Sequence, residues 1–407
     1  MTLRLRSGAR RGVAAVVAAL AIGLALPPGT AVAADSAPAG AAPAAPAPSA
    51  VAPAGLDAKA LQAALDKLTA AGAPAALAEV RVGDQRWSGA SGVRDVRTKQ
   101  SARPGDRYRV ASVTKSMVAT VVMQLADEGR LKLDDPVSKH LPGVLPYKEP
   151  ITLRQLLNHT SGIPDYLDDL YPTGSLEEHQ KNRFRYFAPQ SVIRNAVKKP
   201  LADPASPDLP YSNTNYALLG LVVEKVTGKS LGTELTRRVF RPAGMRDTSY
   251  PTVNPFLSGP HVHGYIKPES GPLFDATDYT PSVWGAAAAV VSTSTDLNRF
   301  FRALSDGTLL SPAGLAEMRK QDGKYPYYTQ GLMPGGDLCP AKPGELLWGN
   351  RGNGFGYRSM TFSSPDGRRQ VSFGWTVSVP GVSGPPAVEK AWQEFLLAAL
   401  GATCGRG

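Results

Sequence analysis

Hydrophobic residues recur along this chain with two different periods. Over 56–72 the run LDAKALQAALDKLTAAG repeats leucine at helical spacing and stops at Gly72, so a helix is predicted. Residues 77–82 and 86–92 read as strands, with Gly83-Asp84 as the turn between them. From 112 to 128 one face carries Met117, Val118, Val121, Val122 and Leu125, and Gly129 follows, which predicts a long helix with a buried middle. The stretch 133–304 is broken repeatedly by Pro and Gly and predicts short helices, among them 152–158, 213–227 and 295–304. Strand patterning returns at 356–363 and 369–377 around the turn Ser364-Pro365-Asp366-Gly367, and an amphipathic helix is predicted over 388–400. The order predicts an α+β fold: an antiparallel sheet flanked by N- and C-terminal helices, with an inserted all-helical lobe over about 133–304. A groove between sheet and lobe is the expected place for a site.

The first residues follow another pattern. Arg4, Arg6, Arg10 and Arg11 precede an apolar run and then Ala31-Val32-Ala33, which reads as an export signal over 1–33. The run is about 14 residues, short of the roughly 20 that span a bilayer, so no stable membrane insertion is expected. Residues 34–55 are almost only Ala, Pro, Gly and Ser and read as a disordered linker, leaving 56–407 as the folded domain. The protein is expected to be secreted, either extracellular or associated with the cell wall. In that oxidising setting Cys339 and Cys404 are expected to form a disulfide worth about 4 kcal/mol, two separate buried thiols being the alternative.

The net charge is +11, and 11 − 4 = +7 once the four signal arginines are removed. Such a surface is drawn to anionic walls, whereas dispersed Lys and Arg without a recognition motif argue against nucleic acid. The five histidines, His140, His159, His179, His261 and His263, show no H-E-x-x-H pattern. No phosphate-cradling loop is present either, so neither metal nor cofactor is expected.

Three segments carry chemistry. In Ser112-Val113-Thr114-Lys115 a spacing of three brings a hydroxyl and an amine onto one helical face, with Cβ atoms about 5–6 Å apart. The amine can then activate the hydroxyl, although Ser112 as a plain helix cap is the alternative. Tyr211-Ser212-Asn213 opens a predicted helix and offers a phenol and a carboxamide, again with a simple cap as the alternative for Asn213. The third segment, Trp348-Gly349-Asn350-Arg351-Gly352-Asn353-Gly354, is rich in glycines that let a ligand approach the backbone. There the N–H of Asn353 is a candidate to join that of Ser112 in an oxyanion hole, a glycine-rich turn being the alternative. Gly228-Lys229-Ser230-Leu231-Gly232 matches a nucleophile elbow, but it follows a predicted helix rather than a strand and reads instead as two helix caps. His159 reads as a structural hydrogen-bonding residue.

With these segments in this order, together with Leu133-Asp134-Asp135-Pro136-Val137 and ITLRQLLNHTSGIPDY over 151–166, the chain from about residue 56 onward resembles the serine β-lactamase and D-alanyl-D-alanine carboxypeptidase family. It stands near the class C β-lactamases and secreted DD-peptidases. The resemblance implies that Tyr211 and Asn213 face the serine across the groove. It assigns Ser112, Lys115 and Tyr211 to catalysis, and Asn213, Asn350, Arg351, Gly352 and Asn353 to substrate binding. It also implies hydrolysis of D-Ala-D-Ala bonds in peptidoglycan stem peptides or of a small acyl substrate, with acylation by β-lactams; separately, a monomer is expected. One departure stands out. The family's third motif opens with Lys or His, whereas the triplet here, aligned through Gly356-Tyr357, is Asn350-Arg351-Gly352. Lys342-Pro343-Gly344 is rejected as that motif, because Pro is unsuited to the strand and no Gly-Tyr pair follows at the right distance. The lost cation leaves two other readings open: an esterase or D-amino-acid amidase on the same scaffold, and a non-catalytic wall-binding homologue.

Overall fold

The computed structural model describes residues 56–203, 206, 209–321, 326–337, 339, 344–380 and 384–404. The export signal and linker, and Lys342-Pro343 of the rejected triplet, lie outside the described residues. A first helix, α1 (Ala58–Ala70), is capped by the Asp57 side chain, which accepts from the Ala60 N–H at 2.9 Å. It leads into the hairpin β1 (Ala75–Val82) and β2 (Gln85–Gly92). The chain returns to the sheet only late, through β3 (Met333–Gly336), β4 (Leu346–Gly354), β5 (Tyr357–Ser363) and β6 (Arg369–Thr376). It closes with α5 (Pro386–Thr403). The strands form a six-stranded sheet in the order β2-β1-β6-β5-β4-β3, every pairing antiparallel. N- and C-terminal strands are therefore direct neighbours, with Leu77 opposite Gly374.

Strand alternation gives the sheet two apolar faces. On one face Ala76, Ala78 and Val80 join Phe373 and Trp375 against Leu61, Leu65 and Leu68 of α1 and Val388, Ala391 and Phe395 of α5. On the other, Ala75 and Leu77 belong to a larger core shared with the long helix α2 (Thr114–Asp127), with α3 (Asn213–Thr227) and with α4 (Ser294–Ser305). Helix α4 lies on the sheet itself: Asn298 donates to Glu79 of β1 and accepts from Ser372 of β6 at 2.6 Å. Gly228 closes α3 at φ 68°, and Ser230 caps the next helix by accepting from the Thr233 N–H.

Two local expectations are corrected. The third segment is neither a turn nor a mere lead-in but a full strand, β4. Its glycines hide the strand pattern, and packing demands them: a Cβ at Gly349 would lie 1.9 Å from the Thr361 carbonyl oxygen. The helix expected from residue 112 starts with a 3₁₀ turn, Ala111–Val113, before α2 begins. Ala111 has φ 46°, a left-handed conformation that costs a non-glycine residue on the order of 1 kcal/mol or more and sharply redirects the chain before Ser112. Cys339 and Cys404 are bonded, with Cα atoms 5.1 Å apart, tying the end of α5 to the connection between β3 and β4. Among the described residues no helix is long and apolar enough to cross a membrane.

Candidate active site

Ser112 sits in the 3₁₀ turn, half-buried, and the cap position of α2 is Val113. Helical spacing returns Lys115 to it, and the Lys115 Nζ donates to Ser112 Oγ at 3.2 Å. The same nitrogen donates to Asn213 Oδ1 at 2.8 Å and to the Ala287 carbonyl oxygen at 3.0 Å. Lys115 is wholly buried, and all three of these partners are neutral oxygens. Burial pushes its amine well below the ordinary lysine value, a drop that the charge of Asp165 partly offsets.

Asn213 is the first residue of α3, but Ser212 occupies the cap position, so the Asn213 amide is free to bridge. Its oxygen takes the lysine hydrogen bond, while its Nδ2 donates to Asp165 Oδ2 at 2.7 Å. Asp165 is half-buried, and its other oxygen accepts from the Leu167 N–H at 3.0 Å. Burial raises this carboxyl above the usual carboxylate range, against the hydrogen bonds it accepts. Sequence reasoning assigned Asp165 no role. It lay inside the segment that carried the family resemblance, yet nothing in the spacing of residues 115, 165 and 213 links them. Tyr211 presents its ring rather than its edge to the amine, with Nζ 4.8 Å from the ring centroid. Tyr216, from the next turn of α3, lies 5.4 Å from the same nitrogen.

The third segment approaches this group along β4. A Cβ at Gly352 would fall 2.1 Å from the Val110 carbonyl oxygen, and one at Gly354 would touch Ala111 Cβ at 3.4 Å. Bare backbone therefore runs directly against the turn that bears Ser112. Phe355, at the tip of the β4–β5 hairpin, is buried against Trp284, Tyr171 and His179 and pins that tip into the helical region. Asn350, expected among the substrate-binding groups, is 1% exposed. Its Nδ2 donates to Ser116 Oγ and Tyr328 Oη, both at 3.0 Å, and its Oδ1 accepts from the Arg351 N–H. The amide is thus consumed inside the protein. Arg351, one residue on and half-buried, adds its charge to the burial that lowers the pKa of Arg358. Asn353, also half-buried, accepts from Arg358 Nη1 at 2.5 Å, and Arg358 pairs with Glu389 of α5 at 3.1 Å.

A buried neutral-prone amine on a half-exposed hydroxyl, with backbone of a glycine-rich strand beside it, is suited to nucleophilic acyl transfer. Among the described residues no cluster of three or more His, Cys, Asp or Glu is placed to hold a metal ion.

Comparisons with known proteins fit this geometry. The family model described as Beta-lactamase matches residues 61–391. A D-stereospecific amidohydrolase from Streptomyces sp. superposes with a TM-score of 0.72 at 34% identity, over 84% of this chain and 98% of that one. Protein flp of Staphylococcus aureus (strain COL) is 34% identical over 209 residues, 50% of this chain. A penicillin-binding protein of Bacillus subtilis (strain 168) is 28% identical over 244 residues, 57% of this chain. The chain spans 40% of the length of the first of these two curated relatives and 52% of the second.

Proposed function

Because the chain belongs to the β-lactamase family of serine hydrolases, which work through an acyl-enzyme, we propose that it hydrolyses amides of D-amino acids whose α-amine is free. In this mechanism Lys115 in its neutral form keeps its two hydrogens on Asn213 Oδ1 and the Ala287 carbonyl oxygen, turns its lone pair to Ser112, and takes the proton of Oγ as Oγ attacks the amide carbonyl carbon. The N–H groups of Ser112 and Asn353 hold the resulting oxyanion. Collapse breaks the C–N bond, and the amine departs with a proton returned through Lys115 and Tyr211. Water then cleaves the ester by the reverse use of the same groups. Asn350 and Arg351 act as supports of β4, and Gly352 as the point of close approach.

The observation that carries the substrate assignment is the carboxylate of Asp165, two hydrogen bonds from Lys115, where it can receive a substrate ammonium. A carboxypeptidase needs a cation for the terminal carboxylate, and the first residue of the triplet here is a buried, fully engaged amide. Stereochemical preference for the D series is carried over from the name of the Streptomyces enzyme. The D-Ala-D-Ala carboxypeptidase reading stands second, supported by the likeness to the Bacillus penicillin-binding protein. Export and a monomeric state remain part of the proposal.

The test is a kinetic panel: a D-amino-acid amide, its N-acetyl form, and a diacylated peptide ending in D-Ala-D-Ala. The free amine should be preferred over the N-acetyl form by about 10²-fold in kcat/KM, the scale of a desolvated charge pair, and Asp165→Asn should erase that preference. Faster turnover of the D-Ala-D-Ala peptide overturns the substrate assignment, and absence of labelling of Ser112 by a fluorophosphonate overturns the hydrolase mechanism.

A further inference from the structure

His159 is the buried titratable side chain nearest the site that the mechanism above leaves unused. It is 0% exposed and sits at φ 60°, a left-handed conformation uncommon outside glycine but one that histidine tolerates better than most residues. Its ring stacks on Tyr211, with centroids 3.9 Å apart and planes inclined at 27°, and is edge-on to Tyr328 at 4.8 Å. Its Nδ1 accepts from the Ser212 N–H at 3.2 Å and faces the Asn215 amide nitrogen at 3.4 Å. The Asn215 amide oxygen is itself occupied by Ser161 Oγ at 2.7 Å, so its nitrogen is the end turned to the imidazole. Two donors on Nδ1 fix the proton on Nε2, which has no hydrogen-bond partner among the described residues. Burial holds the ring neutral, and Lys115 whenever it carries a proton pushes the same way. The groups around it that can titrate are Lys115, Tyr211, Tyr216 and Tyr328, with Asp165 beyond Asn213.

We propose that His159 is a positioning residue: one face of its ring sets the plane of Tyr211, and its Nδ1 sets the backbone at Ser212, so that Tyr211 and Asn213 are both aimed at Lys115. The two jobs belong to different parts of the side chain. The ring fixes where the phenol stands over the lysine amine, which is 4.8 Å from the Tyr211 centroid. The acceptor fixes the first turn of α3, and with it the amide that holds Lys115 at 2.8 Å. A protonated imidazole would lose the Ser212 bond and oppose the positive charge that Lys115 takes on when it accepts the serine proton, so the neutral, buried state is the working one.

This inference rests on the proposed roles of Lys115 and Tyr211 in acylation of Ser112, and two substitutions separate its parts. His159→Asn keeps an acceptor near the Nδ1 position, tolerates the left-handed backbone and removes the ring. His159→Phe keeps a ring and removes the acceptor. The measurement is the rate of fluorophosphonate acylation as a function of pH, with the melting temperature recorded alongside. His159→Asn should melt within a few degrees of the parent, acylate on the order of 10²-fold more slowly, and show its acid limb displaced, because Lys115 and Tyr211 are no longer held together. His159→Phe should also be slowed and should melt lower. A His159→Asn protein that acylates within twofold of the parent on an unchanged pH profile overturns the proposal. So does a pair of variants whose rates fall only in step with lost stability, with no change in profile. A parent that is not acylated at all overturns both this inference and the mechanism beneath it, whereas a parent that is acylated and a His159→Asn that matches it overturns this inference alone.

Discussion

Lys115 and Arg369 are both cut off from solvent, the first with none of its surface exposed and the second with 4% of its side chain, yet they keep different company. Arg369 of β6 meets two carboxylates: it pairs with Asp337 and lies 2.5 Å from Glu345. The hydrogen bonds that it donates to Asp337, reinforced by both negative charges, raise its pKa further above an already high value. Lys115 meets three neutral oxygens, and the acid that influences it is held one amide away, behind Asn213. Desolvation therefore wins at Lys115 and loses at Arg369. A buried charge costs several kcal/mol unless it is paired, so the arginine's pairs make it structural, while the lysine relieves the cost by giving up its proton. Withholding a direct carboxylate is what makes one cation a base and the other a brace.

Three substitutions break that contrast from either side. The largest effect should come from Lys115→Arg, which keeps positive charge but cannot deprotonate. Acylation by a fluorophosphonate should fall about 10³-fold, measured by stopped flow, and a loss below tenfold would remove the lysine from the role of base. Next, Asp337→Asn leaves Arg369 with one carboxylate inside the protein. Urea unfolding should show about 3 kcal/mol of lost stability, with the acylation rate of the folded enzyme unchanged. Smallest is Asn213→Asp, which supplies the lysine with the direct carboxylate it lacks. A negative neighbour favours the protonated amine and raises its pKa, so the acid limb of kcat/KM should move to higher pH, with activity at pH 7 down about tenfold. Movement to lower pH would contradict the electrostatic account.

How much of this was legible in the residues depends on the range over which each feature is encoded. Ser112 and Lys115 were legible because a spacing of three is a local property of a helix. The hairpin over 75–92, the start of α3 at Asn213 and the closing helix were legible for the same reason. Strand β4 was not, because Gly349, Gly352 and Gly354 answer to neighbours far away in sequence and leave no alternating pattern. Asp165 escaped notice because it touches the lysine only through Asn213, across separations that tertiary packing alone brings together. The burial of Asn350 is similar: Ser116 and Tyr328, which absorb its amide, come from the long helix and from a loop just before β3.

The crowding at Gly352 reaches into protein engineering. With Val110 carbonyl oxygen 2.1 Å from where a first side-chain carbon would stand, and Ser359 Oγ at 2.4 Å, any substitution at that codon must displace the backbone behind Ser112. Arg351 and Asn353 on either side of it are only half-buried and remain open to randomisation. Diversity aimed at new substrates therefore belongs at the two flanking codons, with the one between them held fixed.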